Sequence, residues 1–158
     1  MGIPSNAELK NLIESHFVAK AQDGSFKNNH PILHFGGLEQ IFADNIDFHI
    51  SGLPDQKISG ASHFNTVASS GSLPSMHQVY DLNKPFDLKV LHVIGGDNDV
   101  RKAVVLHKTA TTVKSDKDQP FSHETVIVLV FNQQGKITEL RAYSDSASIG
   151  KHIAECAN

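Results

Sequence analysis

Apolar residues fall at helical spacing near the start of the chain and alternate with polar ones through most of its second half. Leu9, Leu12, Ile13, Phe17 and Ala21 share one helical face, Ser5 or Asn6 can cap the first turn, and Asp23-Gly24-Ser25 ends the run. A second helix is expected from Asn29-His30-Pro31, interrupted by Gly36-Gly37 and resumed over Leu38 to Phe42. Asn45 to Ser51 then alternates, with Ile46, Phe48 and Ile50 on one face and Asp47, His49 and Ser51 on the other, which predicts a half-buried strand broken at Gly52-Leu53-Pro54-Asp55. Ser59-Gly60 opens a third, short helix carrying Phe64, Val67 and Ala68, stopped by Ser70-Gly71-Ser72 and Pro74. The remainder is strand-like. Met76 to Leu82 and Asp87 to Ile94 precede a turn at Gly95 to Asp99, and Val104 to Val113, Phe121 to Phe131 and Lys136 to Ser144 follow, with turns at Ser115 to Gln119 and Asn132 to Gly135.

Helices first and a run of antiparallel strands afterwards predict an α+β domain in which the helices close one face of a strongly curved sheet, leaving a conical interior. The other, convex face carries Val104, Leu106, Val126, Val128 and Val130, too apolar to stay in water, so a homodimer through that face is expected. A chain of 158 residues with no break in composition is expected to be one domain, 1–158, able to bury roughly 70% of its unfolded surface without a metal or disulfide. Its one cysteine, Cys156, has no internal partner, and neither a leader-like segment nor a long apolar run is seen, so a cytoplasmic protein off the membrane is expected. Fourteen basic residues against seventeen acidic ones give a net charge of -3 without a basic cluster, which argues against nucleic acid.

Ten scattered histidines change the picture, because several lie within otherwise apolar strands, where an ionisable group must be solvated, paired or used. Strand parity puts His107 with Val105, Thr109 and Thr111, and His123 with Thr125, Ile127, Leu129 and Phe131; Glu124 has the opposite parity. His30 and His34 have i, i+4 spacing but no third ligand or His-Glu-x-x-His pattern, so no metal is expected. Asp97-Asn98-Asp99 is a turn without calcium-loop spacing, and no phosphate loop occurs, so no cofactor is expected either.

Phe42-Ala43-Asp44-Asn45-Ile46-Asp47-Phe48, Ile58-Ser59-Gly60, His123-Glu124 followed by Thr125 to Phe131, and Gly135-Lys136-Ile137-Thr138 running to Tyr143-Ser144-Asp145-Ser146 occur in a familiar order. On these pieces the chain resembles the nuclear-transport-factor-2-like superfamily and, within it, the SnoaL-like group of polyketide cyclases and fungal isomerases, from the first helix to Ile149. Epoxide hydrolases of this fold read Arg-Asp-Tyr-Phe-Asp on the last strand. Here the stretch is Arg141-Ala142-Tyr143-Ser144-Asp145, with Ala142 in place of their catalytic aspartate, and their Arg-x-Asp becomes His107-Lys108-Thr109. Epoxide hydrolysis by their mechanism is not expected.

The resemblance implies that the His107 and His123 faces line the cavity and that Asp145 stands where such proteins place an acid. The expected site is an apolar cone lined by Phe48, Phe64, Ile127 and Leu129, with His49 and His63 at its mouth and His107, His123 and Asp145 moving a proton through an enol or enolate. Asp145 has a competing role as cap of the helical tail Ala147 to Ala154. The expected function is a cofactor-independent isomerase, cyclase or lyase acting on an apolar polyketide- or terpenoid-like carbonyl compound in secondary metabolism. The alternative is a non-catalytic small-ligand binder or stress-related dimer of the same fold.

Overall fold

Ser5 starts the chain's one long described helix by exchanging hydrogen bonds with Glu8: the Glu8 carboxylate accepts from the Ser5 N–H (2.7 Å) and the Ser5 hydroxyl accepts from the Glu8 N–H (3.2 Å). The Ser5 N–H holds the Glu8 carboxyl below its usual pKa. Helix α1 runs Asn6–Gln22 in a computed structural model that describes residues 2–22, 37–51, 55–60, 62–63, 87–95, 101–112, 120–144 and 151. Its Leu9 and Ile13 are buried, and it packs against strand β3.

A 3-10 helix, Leu38–Ile41, leads into six strands: β1 Phe42–Ile50, β2 Gln56–Ile58, β3 Asp87–Gly95, β4 Lys102–Thr112, β5 Pro120–Phe131 and β6 Ile137–Ser144. They form one sheet in the order β2-β1-β6-β5-β4-β3. The expectation of an α+β domain with helical cover holds, with one correction. The sheet is mixed, because β1 lies parallel to β6 while every other pairing is antiparallel. Parallel neighbours need a long crossover, and everything from β2 to β5 supplies it.

Two further expectations change. Leu38 to Phe42 does not continue a helix: Gly37 sits at φ 85, one 3-10 turn follows, and Phe42 already belongs to β1. A register shift between Phe42 and Asp47 disturbs the alternation there, so only the part from Asn45 onward reads as a strand in the sequence. The three residues of β2, which pair Ile58 with Ile46, carry too little pattern to be seen beforehand. The rest of the second and third helices and the expected Met76 to Leu82 strand lie outside the described residues.

One face of the sheet forms the core. Ile46, Phe48 and Ile50 of β1, Leu88 and Val90 of β3, Ala103 and Val105 of β4, Ile127, Leu129 and Phe131 of β5, and Ile137, Leu140 and Ala142 of β6 are all buried with Leu9, Ile13 and Leu38. The β5–β6 turn is tied by Asn132, whose side-chain oxygen accepts from the N–H groups of Gln134 (3.0 Å) and Lys136 (2.9 Å). Gly135 closes it at φ 74, and a Cβ there would lie 2.1 Å from the Gly2 carbonyl oxygen, so the turn also seats the start of the chain.

Candidate active site

Strands β4 and β5 are interior strands whose alternation turns every second residue to the buried face. In their register His107 lies opposite Thr125 and Thr109 opposite His123. The four therefore form a two-by-two patch in which the histidines sit on one diagonal and the threonines on the other. Diagonal neighbours are about 7–8 Å apart, somewhat less at Cβ, within reach for aromatic rings. These four are the buried polar or charged residues among those described: His107 is 5% exposed, Thr109 5%, His123 7% and Thr125 1%.

The surround is apolar. Val90 pairs with His107 and Leu88 with Thr109 on the β3 side. One row further along, Val105, Ile127, Ala142 and Ile50 lie side by side, and beyond them Ala103, Leu129, Leu140 and Phe48. The buried face thus has an apolar end toward the β5–β6 turn and a polar end at the histidines. Burial lowers the pKa of His107 from 6.5 to about 4, with a smaller push from His123, so its imidazole is neutral at pH 7. Its Nδ1 has no hydrogen-bond partner among the described residues, and neither has the Oγ1 of Thr125.

Of the residues singled out from the sequence, His107, His123, Phe48, Ile127 and Leu129 share this face. His49 projects from β1 on the opposite parity to Phe48, and its Nδ1 lies 2.7 Å from an Asp55 carboxylate oxygen. His63 is exposed and accepts a hydrogen bond at Nδ1 from the Ser59 N–H (2.9 Å). Neither belongs to the buried patch. Asp145 and Phe64 lie outside the described residues. Glu124 is exposed on the outer face, as are Arg141 and Tyr143, with Arg141 paired to Glu139. Thr109 and Thr125 were not singled out, although the parity that selects the histidines selects them as well; their hydroxyls gave no reason to prefer them over ordinary strand threonines. No group of three or more metal-ligating side chains occurs among the described residues.

The mixed sheet, its order and the helix on its inner face define an α+β fold of the nuclear-transport-factor-2-like kind. Solved structures of that kind superpose on most of the chain. A protein assigned as a SnoaL-like polyketide cyclase from Jannaschia sp. CCS1 matches with a TM-score of 0.56 at 13% identity, covering 90% of this chain and 86% of that one. TerC, co-crystallised with polyporic acid, gives 0.54 at 13% identity over 89% and 94%. The epoxide hydrolase/cyclase-like enzyme SalBIII, from pyran ring formation in polyether salinomycin, gives 0.50 at 14% over 89% and 93%. Others, from Exiguobacterium sp. 255-15 and Burkholderia pseudomallei K96243, are NTF2-like proteins of unknown function. No family model and no curated protein matches the sequence. At such identities the likeness establishes the fold, and the chemistry has to come from the site.

Proposed function

We propose that the chain is a cofactor-independent isomerase or cyclase of secondary metabolism, moving a proton on an apolar polyketide- or terpenoid-like carbonyl compound held against the buried face of the sheet. The observation that carries this reading is His107: a buried, neutral imidazole with a ring nitrogen unpartnered among the described residues, diagonal to a second buried histidine and bordered by aliphatic side chains. A histidine with a pKa near 4 is a weak base but a good neutral hydrogen-bond donor to a carbonyl oxygen. We therefore assign carbonyl polarisation to His107 and proton carriage to His123. His123 takes the proton α to the carbonyl, the C–H electron pair becomes the enol double bond, and the carbonyl π pair moves to the oxygen held by His107. Return of the proton to a different carbon completes isomerisation; attack of the enol carbon on a second carbonyl of the same molecule, whose oxygen takes the released electron pair and the proton from His123, completes cyclisation. Asp145, the next residue after β6, is the candidate carboxylate of this site, and Phe64 is a candidate contact at its mouth. The polyketide cyclase and epoxide hydrolase/cyclase-like proteins among the similar folds support a ring-forming or isomerising reaction on an apolar substrate.

Ala142 favours the second reading, a non-catalytic binder of small apolar molecules. It is buried in the row of Ile127, and no carboxylate lies on the buried face among the described residues. Solvent exchange separates the two. Cyclic β-keto esters and tetralones incubated in D2O should exchange their α-protons faster with the protein than without it, as followed by NMR. His107→Ala and His123→Ala should each slow that exchange by about 10²- to 10⁴-fold in protein of unchanged circular dichroism, the contribution of one positioned acid or base. The double variant should be little worse than the slower single one, because the two act in one step. Binding of these compounds without acceleration supports the binder. The same reading makes the protein cytoplasmic, in keeping with a lone cysteine, and dimeric through the outer face of the sheet.

A further inference from the structure

Thr125 is the most buried of the four polar residues, and it sits directly across the β4–β5 ladder from His107. Thr138, a strand threonine elsewhere in this sheet, satisfies itself on the neighbouring strand: its hydroxyl donates to the Val130 carbonyl at 3.3 Å. The Thr125 hydroxyl does not, and Nδ1 of His107, its partner across the ladder, is likewise without a hydrogen bond among the described residues. Two buried polar atoms left open on directly paired residues cost stability that an apolar pair of the same shape would not, so the pair calls for a use.

The chemistry of the pair restricts what can fill it. Nδ1 accepts or donates according to the ring tautomer, and a threonine hydroxyl does both. A carbonyl or ether oxygen only accepts, so it satisfies one tautomer. A hydroxyl satisfies both atoms whichever nitrogen carries the proton. Among the described residues no lysine, arginine or carboxylate is buried with the pair, which disfavours an anion or a cation as occupant. The apolar rows of Ile127 and Leu129 alongside call for a hydrocarbon body.

We propose that Thr125 and His107 together clamp a single neutral hydroxyl of the ligand, as in an alcohol or an enol, and that Thr125 is the residue that sets this specificity. The proposal rests on the reading of this face as the ligand site and adds to it the group that is recognised. Held this way, an enol formed in the reaction is bound better than the ketone it came from.

Three probes of one shape test it without any turnover: 1-tetralol, its methyl ether and tetralin, titrated by ligand-detected NMR. The wild type should bind the alcohol about tenfold tighter than the ether, the worth of one well-made hydrogen bond. Thr125→Val should erase that preference while leaving the affinity for tetralin unchanged, and Thr125→Ser should keep it. Without ligand, Thr125→Val should melt at a higher temperature than the wild type, because it removes an open buried hydroxyl. Equal binding of alcohol and ether by the wild type overturns the proposal. So does a Thr125→Val protein that melts lower, since its hydroxyl would then be satisfied inside the fold. Selective alcohol binding with no α-proton exchange in D2O would contradict the catalytic reading and leave the hydroxyl clamp standing.

Discussion

His107 ties stability to pH in one direction. Its pKa is 6.5 in an unstructured chain and about 4 in the fold, so between those values the unfolded chain binds more protons than the native one. Stability is therefore complete above about pH 6.5 and falls as the pH drops toward 4, by on the order of 3 kcal/mol if the whole shift is expressed. Carboxylates also titrate in the lower part of that window, which makes the difference between proteins the useful quantity. Denaturant melts of the wild type and of His107→Gln, from pH 7.5 to 4, should show the wild type losing more stability than the variant. Parallel loss in both would mean that His107 is not the buried neutral group described here. The same burial accounts for its assigned role, because a site that disfavours imidazolium also leaves the neutral ring free to polarise a carbonyl.

At the scale of elements, the strands β3 to β6 were legible to within a residue or two, since each is long and alternates over most of its length. The same parity sorted the side chains of β4 and β5 into two faces, and the family resemblance pointed to the one that is buried, His107 and His123 included. What it left out were features of pairing. A shift between Val90 and His92 moves β3 by one residue against β4, and Glu14 of α1 accepts a hydrogen bond from the Val90 N–H at 2.8 Å beside it. Neither the bulge nor its helical tether leaves a mark in local sequence, because the first depends on the register of β3 against β4 and the second on residues 76 positions apart. The parallel β1–β6 pairing and the diagonal placement of the two histidines escaped for the same reason: alternation says which face a residue takes, and only register says whom it meets. The hydroxyl of Thr125 became informative once its lack of a local partner was known.

For the whole molecule, the outer face of the sheet has as much consequence as the inner. Ile94, Val104 and Val128 lie in one row and Leu106, Val126 and Tyr143 in the next, with Ile94 69% and Tyr143 49% exposed. Lys108 and Glu124 at one end, and Lys102 and Glu139 at the other, give the strip a rim of both signs, suited to a second copy of itself. Val128→Lys, beside Arg141, should convert a dimer to a monomer or an unstable protein in sedimentation, since an unpaired charge buried there costs several kcal/mol. A wild type that sediments as a monomer at micromolar concentration would remove the dimer. Covered on both faces, the sheet would keep β4 and β5, and the imidazoles they carry, away from water. That dry placement is the central claim, and an NMR pH titration of ring-labelled histidines tests it most directly. His107 should hold the shifts of a neutral imidazole down to about pH 4, whereas a midpoint near 6.5 for His107 would contradict the account.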